Sequence, residues 1–285
     1  MNYRHSFHAG NFADVLKHVV LTALVDYLAR KPGGFCVLDI HAGRGRYDLA
    51  AADALRTREF SHGIARIWSC AAQAPPLSRR YLELVQHFNR ARCGSAELVH
   101  YPGSPCLVHQ QLREQDRLVA CELQPAEHAL LDAEFRGDRA VAVHARDGWE
   151  ALGALLPPRE KRGVVLIDPP YELPSEEVER VLAGLRETQR RFPTGIVALW
   201  YPIKERAASL RLLRRVQALG LGEALVAELC VWPDDTALRL NGSGMLVVNP
   251  PWQFAGALEV ELAWLWERLS HERHGRHGVQ SLTAR

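Results

Sequence analysis

An apolar run from Val164 to Ile167 ends in Asp168-Pro169-Pro170-Tyr171. Two successive prolines stiffen the backbone that carries the aspartate and fix where its side chain points. The Asp168 carboxylate and the Pro169 carbonyl can then both accept hydrogen bonds from an exocyclic amino group. Tyr171 can stack on the base that bears it. Such an amine is a poor nucleophile, because its lone pair is delocalised into the ring. Two acceptors on its hydrogens favour a pyramidal nitrogen with the lone pair free. The pattern suits methylation at nitrogen from a sulfonium, where the protein aligns three atoms and binds charge. A rigid turn with a purely structural role is the competing reading.

Other acids and glycines fall at the ends of similar runs. Phe35 to Ile40 leads into Asp39-Ile-His41-Ala-Gly43-Arg-Gly45. Glycines there permit a tight turn and close approach of a nucleotide to the backbone. Position 48 is Asp48, not the third glycine of a dinucleotide fingerprint, which disfavours a diphosphate cofactor. Glu122 ends the run Leu118 to Leu123, where a carboxylate can accept both ribose hydroxyls. Asp147-Gly148 follows Ala140 to His144 and could hold an adenine, although Asp-Gly is also a common turn. A second proline pair, Asn249-Pro250-Pro251-Trp252, follows Gly244 to Val248. It comes too late in the strand series to join the others and is expected to be structural. His5/His8 and His271/His274/His277 lack converging carboxylate or cysteine partners in sequence, so no metal site is expected.

The elements that must position these residues follow from hydrophobic periodicity. Asn11 reads as a helix cap with Asp14 three residues on, and apolar positions at 12, 15, 16, 19, 20, 24 and 28 mark one helical face to about Ala29. Residues 2–10 read as an extended arm. Strands are expected at the runs above and at Gly195 to Trp200, alternating with helices at 105–116, 125–135 and 174–191. That alternation argues for a parallel α/β sheet. Ala224 to Trp232 and Gly244 to Val248 could pair as antiparallel strands. Residues 48–97 break the rhythm with helical stretches at 49–58 and 78–91 and no convincing strand. This reads as a helical insertion between the first and second strands, and it explains why Glu122 lies so far from the glycine loop. The expected organisation is a main domain at 1–47 and 98–270, the insertion at 48–97, and a mobile basic tail at 271–285.

The chain has 285 residues, with 47% hydrophobic and 24% charged residues, which excludes a disordered chain. Its net charge of +2 shows no global basic character, so any nucleic-acid surface must be local. Residues 51–100 hold seven arginines against four acids, so Arg56, Arg58, Arg66, Arg79, Arg80, Arg90 and Arg92 are candidates for phosphate contacts. A solvated helical surface is the alternative. The six cysteines form no C-x-x-C pair and are expected as small buried hydrophobes in a reducing cytoplasm. No membrane span and no signal peptide are expected.

The strings YRHSFHAGNFADVLKH, LDIHAGRGRYDL, GIARIW, YPGSP, LREQDR, LIDPPYE, ALWYPI and GMLVVNPPW, between Tyr3 and about Trp266, resemble the RlmJ family of bacterial 23S rRNA adenine-N6 methyltransferases. The resemblance implies an α/β, Rossmann-like class I fold dependent on S-adenosylmethionine, with a small inserted helical subdomain. It implies methylation of adenine 2030 in free 23S rRNA by a cytoplasmic monomer. It further implies that His18, His41, Ser104, Glu122, Asp147 and Gly148 contact the cofactor and that Asp168 is the catalytic acceptor. Tyr3 would contact the target nucleotide, with His5 and Lys17 as weaker candidates. A DNA adenine methyltransferase, or a non-catalytic nucleic-acid-binding or DNA-uptake protein on the same fold, remains the alternative from residues alone.

Overall fold

The computed structural model describes residues 4–171, 174–234, 236–237 and 240–282. Along the chain α1 (Phe12–Ala29) precedes β1 (Cys36–Asp39) and β2 (Arg46–Asp48). Then come α2 (Ala52–Thr57), α3 (Ile64–Trp68), α4 (Pro76–Cys93), β3 (His100–Pro102), α5 (Ser104–His109) and β4 (Arg117–Cys121). The alternation continues with α6 (Pro125–Glu134), β5 (Val141–His144), α7 (Gly148–Leu155), β6 (Gly163–Ile167), α8 (Pro174–Arg191), β7 (Ile196–Ile203) and α9 (Arg206–Gln217). β8 (Ala224–Cys230), β9 (Gly242–Val248), α10 (Phe254–Leu269) and β10 (Arg276–Ser281) complete the order.

The main sheet runs β10-β8-β9-β7-β6-β1-β4-β5. The five strands from β5 to β7 are parallel neighbours. β9 is antiparallel to both β7 and β8, and β10 is antiparallel to β8. This is a mixed α/β fold of the Rossmann-like kind. The central strands are apolar throughout because helices cover both faces. Val37, Leu118, Val164 and Ala198 meet α1, α4, α5 and α10 on one face, whereas Leu38, Val119, Val165 and Leu199 meet α7, α8 and α9 on the other. The chain builds outward from β1 through β4 to β5, then crosses back to β6 and β7. The crevice between β1 and β6 is therefore the topological switch point, where open α/β sheets bind ligands beyond their strand ends.

Several expectations change. Residues 276–281 form an ordered edge strand, not a mobile tail. Main-chain pairing carries it, so its sequence needs no apolar run, and Arg276 is anchored by Glu228 and Asp234. Residues 283–285 lie outside the described residues. The extended arm folds in part, as His5–Phe7 make a turn of 3-10 helix against α2. The helix expected over 105–116 stops at His109, because Asp116 accepts from the backbone of Arg113 and Phe35 and builds a turn. Cys36, Cys106, Cys121 and Cys230 are buried as expected, but Cys70 is half-buried and Cys93 is exposed.

Residues 49–99 carry helices and turns, closed at their base by the antiparallel ladder of β2 and β3. Ile64, Ile67, Tyr81, Leu82, Val85 and Phe88 join the core beneath α1 and α10, so this stretch packs onto the main body. Four of its arginines are committed internally. Arg66 donates to carbonyls at the end of α10, Arg79 to the Ala74 carbonyl, and Arg80 and Arg92 pair with Asp26 and Glu134. Arg56, Arg58 and Arg90 stay exposed.

Candidate active site

At the carboxyl edge of the parallel strands lies one cavity of about 1260 Å3. Its walls include His18, His41, Gly43, Ser104, Glu122, Asp147, Gly148, Asp168 and Tyr171, so the described residues expected to contact cofactor or target base meet there, whereas Gly45 and the candidate arginines do not line it. Tyr3 lies outside the described residues. Strand order arrays the ends in space: Asp147 after β5, Glu122 after β4, Asp39 and His41 at β1, Asp168 after β6, and Trp200 on β7. The volume exceeds the ~300–1,000 Å3 of a single small-molecule pocket, which leaves room for two ligands.

Glu122 is pinned by backbone amides. Gly43 N donates to its Oε2 at 2.9 Å and Gln124 N to its Oε1 at 2.7 Å. Burial nonetheless pushes its pKa above the usual glutamate value. Gly43 has φ +61°, a left-handed conformation that favours glycine. Asp147 caps α7 by accepting from Trp149 N at 2.8 Å. A side chain at Gly148 would lie 2.0 Å from the Ile40 carbonyl, so only glycine lets α7 start against the end of β1.

His41 packs edge-on to Trp149, and burial together with Arg180 pushes its pKa down to about 3, so the ring is neutral. Asp39 is fully buried and accepts from Ser104 Oγ at 2.6 Å and from His41 N at 3.2 Å. Burial raises its pKa to about 6; those two hydrogen bonds oppose the shift and the Asp168 charge adds to it.

Asp168 is anchored from α1. Its Oδ2 lies 2.6 Å from Lys17 Nζ, which also meets Asp14 Oδ1 at 2.8 Å. Asp14 in turn accepts from His5 Nε2 at 2.9 Å and from Gly10 N. Burial works against both charges of the Asp14–Lys17 pair. The carboxylates outweigh it and hold the Lys17 pKa above the ordinary lysine value; His5 and Lys17 hold Asp14 well below the usual carboxylate range. Among the described residues, Asp168 Oδ1 has no protein donor. Tyr171 donates to the Trp200 carbonyl at 3.1 Å and sets its ring edge-on to Trp200. That fixes the ring beside Asp168, though one ring edge already faces protein.

Sequence reasoning from spacing alone found the strand-end acids and missed the polar face of α1. Asn11, Asp14, Lys17 and His18 recur at helical spacing on a helix that is buried almost all round. Four polar groups on one stripe of a buried helix was the signal. Trp200 and Lys204, which also line the cavity, carried no comparable mark. Asn249 lies at the opposite edge of the sheet, since Val248 pairs with Val197 near the start of β7. Its Nδ2 donates to the carbonyls of Pro193 and Gly195, each at 2.8 Å, as expected of a structural motif.

Parallel strands whose acidic ends surround one cavity at the switch point define a Rossmann-like α/β protein. Comparisons narrow the class. Residues 32–283 match the family model described as ribosomal RNA large subunit methyltransferase D, RlmJ. Ribosomal RNA large subunit methyltransferase J of Escherichia coli (strain K12) is 44% identical over 269 residues, 94% of each chain. The Haemophilus influenzae protein of the same name is 39% identical over 283 residues, 99% of each. The crystal structure of protein LPL1258 from Legionella pneumophila superposes with a TM-score of 0.85 at 33% identity, covering 97% of this chain and 98% of that one. The chain belongs to the ribosomal RNA large subunit methyltransferase J family. Among the described residues, no helix is long and apolar enough to cross a membrane.

Proposed function

We propose that this chain methylates the exocyclic N6 of adenine 2030 in free 23S rRNA, as a monomer with a class I methyltransferase fold and S-adenosylmethionine as donor. Family membership supports large-subunit rRNA as the substrate and methyl transfer as the reaction. The choice of nucleotide, the free-RNA substrate and the monomeric state come from the family resemblance. The observation that carries the chemistry is the placement of Asp168, anchored by Lys17, in the cavity that Gly43 and Glu122 also line.

The residues present suit the cofactor. Glu122 suits a ribose diol, Asp147-Gly148 an adenine edge, and His18 and His41 each carry a buried ring nitrogen that has no protein partner among the described residues. When bound, S-adenosylmethionine supplies an electrophilic methyl group on a sulfonium. The chain's own part begins with the target base, which must be unstacked from the RNA to reach the cavity. Asp168 Oδ1 and the Pro169 carbonyl accept the two amine hydrogens and free the nitrogen lone pair. Lys17 holds Oδ2, fixing the carboxylate so that it need not reorient during reaction. Asp168 acts as acceptor and orienter. Tyr171 and Trp200 wall the base side.

At the mouth, His8 pairs with Glu59, and Lys204 comes up from the end of β7. Arg56, over the Phe7 ring, and Arg58 flank that side and remain candidates for RNA phosphates. Recognition there would follow RNA shape as well as sequence.

The test is transfer of a radiolabelled methyl group to a 23S rRNA transcript. D168A is expected to lose about 1000-fold in turnover, at the upper end of the effect of removing one oriented polar group. Calorimetric affinity for S-adenosylhomocysteine should stay within about threefold of wild type. Wild-type turnover by D168A would overturn the mechanism. Competing DNA substrates address the DNA reading, and absence of cofactor binding would favour the non-catalytic one.

A further inference from the structure

Tyr81 on α4, Tyr101 on β3 and His18 on α1 form a hydrogen-bonded row inside the protein. The two tyrosine hydroxyls lie 2.9 Å apart, and the Tyr101 hydroxyl is 2.7 Å from His18 Nδ1. All three residues are 0% exposed. The Tyr101 and His18 rings also stack, with centroids 5.6 Å apart. His18 Nε2 is buried and has no protein partner among the described residues, yet the residue lines the cavity.

Proton counting selects one direction for the row. Burial and the neighbouring Lys17 charge keep His18 neutral, so the ring carries one proton. If that proton sits on Nδ1, it goes to the Tyr101 oxygen and the Tyr101 hydrogen goes to Tyr81. Among the described residues the Tyr81 hydrogen is then left in the interior without an acceptor, which folded proteins avoid. In the reverse order Tyr81 donates to Tyr101, Tyr101 donates to Nδ1, and the ring proton sits on Nε2. Every internal hydrogen is then used, and the one remaining donor belongs to the ring nitrogen left for the cavity. The second partner of an imidazole sets which nitrogen is protonated.

We propose that Tyr101, backed by Tyr81, is a positioning residue that holds His18 as a neutral Nε2–H donor toward the carboxylate of the cofactor's amino-acid end. The inference rests on the S-adenosylmethionine reading and adds what sets the polarity of His18. A donor lacking lone pairs rejects the cofactor's ammonium and accepts its carboxylate. The adenosine end has other candidates in Glu122 and Asp147, which follow β4 and β5, whereas His18 lies on α1, away from those strand ends.

The first test needs no substitution. Nitrogen-15 NMR of the imidazoles in the ligand-free protein is expected to show His18 protonated at Nε2; protonation at Nδ1 would overturn the proposal. The second test is calorimetry with two probes, S-adenosylhomocysteine and 5′-methylthioadenosine, which lacks the amino-acid end. Y101F is expected to weaken the first by about tenfold, the scale of one hydrogen bond to a charged group, and to leave the second unchanged. Y81F should keep the Nε2–H tautomer, because Tyr101 still donates to Nδ1, and should weaken the first probe less. Equal weakening of both probes by Y101F would mark a merely structural role and sink the inference. If wild type binds neither probe, the cofactor reading itself falls; if wild type binds both but the tautomer or the selectivity fails, only this inference does.

Discussion

Two proline pairs each follow a buried apolar strand of one sheet, Pro169-Pro170 after β6 and Pro250-Pro251 after β9. Because β9 runs antiparallel to β7, the pairs emerge at opposite edges. Asp168 meets a buried cation contributed by a distant helix, and among the described residues no donor meets its other oxygen. Asn249 adopts φ +54° and spends its amide on two backbone carbonyls. Trp252 stands 86% exposed, whereas Tyr171 is held against Trp200 in the cavity wall. Near-identical motifs thus differ in surroundings through strand direction and through what meets their polar residue. Strand order in the sequence already separates them, because only Asp168 belongs to the parallel series.

Breaking the anchors one at a time sharpens the contrast. Lys17→Met would leave Asp14 and Asp168 as buried carboxylates without their shared cation. Removing one partner of a buried pair costs about 3–5 kcal/mol, so urea unfolding should show a loss on that scale, and turnover should fall with it. Retention of both stability and turnover would show that the Lys17 bridge does not matter.

Asp39, at the same edge, provides a pH test. Its folded pKa of about 6 exceeds the ordinary 3.8, so the native state binds more protons than the unfolded chain between those values. This group's contribution to stability is therefore full below about pH 4 and is lost as pH rises through 6. Asp39→Asn removes that loss. Relative to wild type, the variant should gain up to about 3 kcal/mol between pH 4 and pH 7. A difference that does not change with pH would refute the raised pKa.

At the other edge, Asn249→Ala should cost about 1–2 kcal/mol through two lost hydrogen bonds and leave turnover within about twofold. Trp252→Ala should shift stability by no more than about 0.5 kcal/mol, as exposed sites do. A large turnover loss from either would mean that the second proline pair takes part in function after all.

What the sequence made legible was set by geometry along single strands. Parallel strands covered on both faces read as apolar runs, and four of the five lead into an acid or a glycine turn, so Gly43, Glu122, Asp147 and Asp168 were visible. The Lys17 bridge was not, because it joins residues 151 positions apart. Asp14 looked like part of a helix cap, and only the fold shows it seated against Lys17 and His5. Four of the seven arginines, Arg66, Arg79, Arg80 and Arg92, misled because sequence does not reveal which acids or carbonyls lie opposite them. β10 was hidden because its pairing is made by the main chain. His18, Ser104 and Tyr3 were reached through family resemblance alone.

The central claim is that Asp168, and not its counterpart at the far edge, orients the amine for methylation. The most direct measurement is mass mapping of 23S rRNA from cells lacking this chain, complemented with wild type, Asp168→Asn or Asn249→Ala. Wild type and Asn249→Ala are expected to restore a methyl group at one adenine, and Asp168→Asn is expected not to. Restoration by Asp168→Asn, or failure of Asn249→Ala at wild-type protein levels, would contradict it.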